Sequence, residues 1–249
     1  MSSAENRSQF KPGLPLAKRV TSEALGTALL VATVVGSGIM AERLSGGNVA
    51  LALLANALAT GAVLVALILT FGPISGAHFN PVVTIADALE RGIPWSETPA
   101  YVAAQILGGV AGAVCAHLMF GLPVISLSQH VRSGPAQLFS EFVATFGLLS
   151  VIWGCSRFRS SVVAFAVGSY ITAAYWFTAS TSFANPAVTI ARALSDTFAG
   201  IRPVDVGGFV LAQLVGGISA TFLFRWLAPG LVADAKAIVT PHGTEREIE

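Results

Sequence analysis

Charge is what this 249-residue chain has least of: Lys, Arg, Asp and Glu together make up 11% of it, against roughly a quarter of an ordinary soluble domain. That scarcity excludes a conventional water-exposed surface. The few charges nearly cancel, to a formal net charge of +1, so the clustered basic face that nucleic acid requires is absent and no nucleic-acid partner is expected. Cysteine is almost absent as well. Cys115 and Cys155 lie far apart, inside or at the edge of apolar runs, which gives neither a disulfide framework nor a metal-ligand spacing. No nucleophile, metal cluster or phosphate-cradling loop stands out, so no catalytic residue, metal or cofactor is expected. The first twenty residues hold Arg7, Lys11, Lys18 and Arg19 without a short apolar core and small-residue cleavage site. They read as a retained tail and not as a signal peptide, and the sequon at Asn6 reads as chance.

What the chain has in abundance is apolar sequence, 54% by count. Six long runs, at about 20–41, 49–71, 99–120, 136–155, 160–178 and 204–227, each match the roughly 20 apolar residues that cross a bilayer as a helix. Two further helix-like runs, from Asn80 to about Leu89 and from Asn185 to about Leu194, are only long enough for about half that thickness. With the amino terminus inside, ten of the 14 Lys and Arg residues fall on the inner side, which predicts both termini in the cytoplasm of a multi-pass plasma (inner) membrane protein. The expected division is a tail over 1–19, a channel domain over 20–227 and a second tail over 228–249.

The channel domain repeats itself. Glu23-Ala-Leu-Gly-Thr27 opens the first span and Glu141-Phe-Val-Ala-Thr145 the fourth; Gln105-Ile-Leu-Gly-Gly109 in the third span is echoed by Gln213-Leu-Val-Gly-Gly217 in the sixth. Between them, Asn80-Pro81-Val82-Val83-Thr84-Ile85-Ala86 is matched by Asn185-Pro186-Ala187-Val188-Thr189-Ile190-Ala191. An odd number of spans per copy means that repeat one (20–120) and repeat two (136–227) enter the membrane from opposite sides. Asn is a favoured N-cap and Pro a favoured first helical residue, so each pair starts a short helix after an irregular segment. Irregular backbone at membrane depth is tolerated only where protein buries it or it lines a water-filled cavity. A pore follows, with two half-helix amino termini meeting near the midplane, where their dipoles oppose cations and the Asn amides can donate to a neutral oxygen. The fold class is therefore all-α: six transmembrane helices and two re-entrant half-helices in two inverted repeats.

These residues, over about 20–227, resemble the aquaporin family, the major intrinsic proteins. Ser75-Gly76-Ala77-His78-Phe79-Asn80-Pro81-Val82-Val83-Thr84 follows the family's first signature, departing from Asn-Pro-Ala at Val82. The resemblance implies that Glu23 and Glu141 brace the re-entrant loops through backbone N–H groups, with His78 in a similar loop role. It also implies a homotetramer with one pore per protomer. Gly108, Gly109, Gly112, Gly216 and Gly217 suit close helix packing.

Family members usually place Arg three residues after the second Asn, in the outer selectivity filter; here Val188 stands there. Spacing from the motifs assigns the other filter positions to Thr60, Ala173 and Ser182, all small or medium and uncharged. Arg192, four residues beyond Val188, is assigned a helix-end or loop contact. The pattern resembles a bacterial subgroup associated with arsenic detoxification in which an aliphatic residue replaces the filter Arg. It implies a wide filter passing small neutral solutes: water, glycerol-like polyols, metalloid hydroxides such as arsenite and organoarsenicals. It also implies a cation barrier reduced by one charge. A water-selective or glycerol-type channel and an ion-coupled secondary transporter remain the alternatives.

Overall fold

In the computed structural model, residues 14–228 are described. The sequon at Asn6 and most of the two expected tails, residues 1–13 and 229–249, lie outside them. Eight helices follow in order: α1 (Leu16–Leu44), α2 (Val49–Ser75), α3 (Pro81–Leu89), α4 (Thr98–Phe120), α5 (Pro135–Phe158), α6 (Val163–Phe177, after a 3-10 turn at Ser160–Val162), α7 (Pro186–Arg192) and α8 (Pro203–Leu227). Six of these segments are long and apolar enough to cross a membrane, and α3 and α7 are not. Six crossings bring the start of α1 and the end of α8 to one face, here the terminal face. The loop after α4 and the α7–α8 connection lie at the far face.

The expected spans are present, with shifts at their ends. α1 starts four residues early because Lys18 and Arg19 continue the helix, Arg19 closing an ion pair to Glu97 at 2.7 Å. α2 continues through Pro73 to Ser75, and the αL glycine Gly76 (φ 90°) then ends it. Gly is the residue that reaches this backbone region without steric cost.

Close helix approach fixes the packing. A Cβ on Gly108 or Gly112 would lie 2.2 Å from the carbonyl oxygen of Ala24 or Ala28, so α1 and α4 meet backbone to backbone. In the second half a Cβ on Gly216 would lie 2.5 Å from the Phe142 carbonyl oxygen, so α5 and α8 do the same. The halves join where α2 crosses α6, at Gly61 and Gly168. Small residues of this kind let helices gain van der Waals contact where lipid offers no hydrophobic drive to associate. Leucine-rich outer faces, such as Leu107, Leu118 and Leu211, are left exposed, as a bilayer-facing surface requires.

Candidate functional site: the pore

Each half-helix is started by the asparagine that the sequence singled out. Asn80 and Asn185 are extended (φ −153° and −159°); Asn80 Oδ1 accepts from Val82 N, and Asn185 Oδ1 accepts from Ala187 N and Val188 N. That cap turns each amide so that Nδ2 points across the molecule. Asn80 Nδ2 donates to the Ala184 carbonyl at 2.8 Å, and Asn185 Nδ2 donates to the Phe79 carbonyl at 2.7 Å. One amide hydrogen of each side chain is used in this way, and the second remains for the lumen.

The loops before the caps are held in an unusual backbone. Ala77 and Phe79 in the first loop, and Ser182 and Ala184 in the second, have φ between 48° and 50°. For residues with a Cβ such a conformation costs roughly 1–2 kcal/mol each. Two buried carboxylates hold it in place. Glu23 accepts from His78 N (3.0 Å), Phe79 N (2.7 Å), Ser75 Oγ (2.6 Å) and Gln105 Nε2 (2.8 Å). Glu141 accepts from Phe183 N and Ala184 N (both 2.9 Å) and Gln213 Nε2 (2.6 Å). The same glutamines donate to Thr84 and Thr189, whose hydroxyls bond the first turns of α3 and α7. Helix, loop and half-helix in each repeat thus form one hydrogen-bonded unit.

The loops form the polar side of a cavity whose other walls are apolar. Leu30 and Val34 of α1, Leu64 and Ile68 of α2, Leu148 and Ile152 of α5, and Val167 and Ile171 of α6 line it. Their spacing of four residues marks one face of each helix. Asn80, Asn185, Val83, Val188, Thr60, Ser182 and His78 line it too. His78 also contributes to the bracing: its ring reaches Thr84 Oγ1 at 3.1 Å and Asp87 at 3.5 Å. Pro81, Val82, Pro186 and Ala187 are buried behind the wall, and Val82 packs on Gly217, where an added Cβ would lie 2.2 Å from Val82 Cγ1. The change from Ala to Val is therefore on the packing side.

One filter assignment is corrected. Ala173 is exposed on the outside of α6, and the cavity face two residues later is Tyr175, whose hydroxyl bonds Thr60 Oγ1 at 3.2 Å. Two residues turn a helix by roughly 200°. Val167, Ile171 and Tyr175 share the face that spacing across the intervening loop assigned to Ala173.

Two arginines complete the far end. Arg192 does make the expected loop contact, Nε donating to the Ala199 carbonyl, but it also lines the cavity, with its guanidinium 3.3 Å from the centroid of Phe183. Arg132, from the α4–α5 loop, lies 4.9 Å from the same centroid and donates to the carbonyls of Gly200 and Ser180. Sequence reasoning missed its role, since a lone loop arginine carries no spacing signal. Burial, with the nearby charges of Arg132 and Arg192, pushes the His130 imidazole below its ordinary value, opposed only by Asp196.

Six apolar crossings around a cavity walled by two inward-facing half-helices define a multi-pass membrane channel. The sequence model described as major intrinsic protein matches residues 13–162, and the chain belongs to that family. It is 56% identical over 212 residues to "Aquaglyceroporin AqpS" of Rhizobium meliloti (strain 1021), covering 85% of this chain and 91% of that protein. It is 30% identical over 211 residues to "Probable aquaporin NIP7-1" of Arabidopsis thaliana, covering 83% and 75%. The X-ray structure of the aquaglyceroporin from Plasmodium falciparum shares the fold, with a TM-score of 0.69 at 21% identity, over 88% of this chain and 99% of that one. Members of the family are channels, and this chain is a channel and not an enzyme.

Proposed function

We propose that this chain is a passive channel for small neutral hydroxylated solutes and water, wide enough for glycerol-like polyols, arsenite and organoarsenicals. The observation that carries the reading is Val188: an aliphatic side chain lies on the cavity wall where relatives usually place Arg. The filter is assigned to Thr60, Tyr175, Ser182 and Val188, which offer hydroxyl groups beside an apolar wall. Such a lining replaces part of a solute's hydration without holding it by charge. The relative named as an aquaglyceroporin, at 56% identity, supports glycerol among the substrates. Glu23 and Glu141, each engaged by three or more donors, support passive flow over proton coupling. The distribution of Lys and Arg supports a plasma-membrane orientation with both termini cytoplasmic. The family resemblance supports a homotetramer.

Stopped-flow uptake of water, glycerol and arsenite by proteoliposomes tests the proposal. All three should enter faster than in empty vesicles, and Val188→Arg should suppress glycerol and arsenite before water. Fast water with no glycerol or arsenite uptake would sink the wide-filter reading, and dependence on a proton or sodium gradient would sink the passive one.

A further inference from the structure

A filter lacking its usual arginine should admit cations more easily, yet α7 carries a second candidate for the same task. Arg192 is four residues beyond Val188, on the same face of the helix. Side chains on a helix lean toward its amino terminus, so a long residue at i+4 covers the surface at i. The Arg192 side chain is therefore directed back toward the turn that carries Val188, its guanidinium reaching Phe183, and both residues line the cavity. The small aliphatic Val188 leaves room for this reach.

Two contacts and one absence settle how the group sits. Nε is held by the Ala199 carbonyl, the plane lies against Phe183, and no carboxylate pairs with the guanidinium among the described residues. Neither Nη atom has a hydrogen-bond partner there. Ser182 Oγ is buried on the wall of the same cavity without a partner among the described residues, so a serine hydroxyl and an arginine face the same space. Arg132 adds a second positive charge behind Phe183.

We propose that Arg192 is the charge-selectivity residue of this channel: it restores the positive charge of the far constriction from one turn further along α7. Because it lies flat on Phe183, it does so without narrowing the opening as an arginine at position 188 would. Width and charge selection are thus divided between two side chains, Val188 relaxing the first and Arg192 keeping the second. This inference rests on the channel reading above.

The test is Arg192→Gln and Arg192→Lys in proteoliposomes, with proton and sodium flux under an imposed potential read beside glycerol uptake. Repulsion by one unit charge at contact in a partly screened site exceeds thermal energy several-fold, so Arg192→Gln should raise cation flux by about tenfold or more. Glycerol uptake should persist in that variant, which also reports that it is folded. Arg192→Lys keeps the charge and loses the planar contact with Phe183; it should exclude cations as the unmodified protein does. Unchanged cation flux in Arg192→Gln with glycerol uptake intact would overturn the proposal. So would a leak in Arg192→Lys as large as in Arg192→Gln, which would mark a purely structural clamp. If Arg192→Gln does not assemble, Arg192→Lys is judged against the unmodified protein: cation exclusion equal to it supports the proposal, and a cation leak above it overturns the proposal. Failure of the unmodified protein to pass glycerol would instead count against the proposed function.

Discussion

The two repeats share a backbone and differ in what they hang on it. Seven residues after its Asn, the first half-helix carries Asp87 and the second carries Arg192. Two residues before the Asn stand His78 and Phe183, and each pair is in contact: His78 with Asp87 across 3.5 Å, Phe183 under Arg192 at 3.3 Å. The same geometric slot thus holds an acid with a titratable ring at the terminal end and a base on an apolar ring at the far end. The carbonyl five residues before each Asn is treated likewise, receiving the Tyr101 hydroxyl at Ser75 and the Arg132 guanidinium at Ser180. What duplication preserved is the scaffold of capped half-helix, carboxylate and glutamine. What diverged is the charge that each end presents.

The sharpest way to break this comparison is at the braces. Glu23→Ala orphans the buried N–H groups of His78 and Phe79. Each lost buried partner costs about 1–3 kcal/mol against a folding free energy of about 5–15 kcal/mol, so little folded channel should be recovered by size exclusion in detergent. Glu141→Ala should follow with a somewhat smaller loss, since Glu23 receives a fourth donor, Ser75, that has no counterpart at Glu141. Equal yields for the two variants would show that the serine contact adds nothing.

Next in size is the helix crossing. Gly108→Val places a Cβ 2.2 Å from the Ala24 carbonyl and must push α1 and α4 apart; overpacking of this kind costs about 1–3 kcal/mol or more, read as a lower thermal midpoint. Val82→Ala, which makes the first motif identical to the second, should cost about 1–2 kcal/mol for the space opened against Gly217. Because Val82 is behind the wall, glycerol and water flux should not change. A flux change there would place Val82 on the lumen.

The smallest effect concerns His130, beside the two far-end arginines. Its folded value is depressed, so above the ordinary histidine range both folded and unfolded states are neutral and it has no effect on stability. As pH falls through that range the unfolded chain takes up the proton first, and the folded state loses stability. His130→Asn should flatten that decline in thermal scans between pH 7 and about 5, set by the unperturbed value near 6.5.

Much of this was legible in the residues. The Asn-Pro pairs, the paired Glu and Gln and the six apolar runs encode local rules of capping, burial and helix length, which operate at fixed sequence spacing. Ala173 failed as a filter position because spacing counted across an irregular loop does not fix the rotation of the preceding helix; Tyr175 faces the cavity instead. Spacing puts Arg192 at a loop contact, which it makes, but spacing records where a Cα lies and not where a long side chain reaches. Its position four residues past Val188 was the available signal, once the lean of helical side chains is taken into account.

The crossed bonds from Asn80 to Ala184 and from Asn185 to Phe79 carry a consequence for biogenesis. The first re-entrant loop cannot find its partner carbonyl until more than a hundred further residues have left the ribosome. Until then a half-made channel holds an unmatched polar loop at membrane depth, so the midplane of the pore is completed only when the last third of the chain has been inserted.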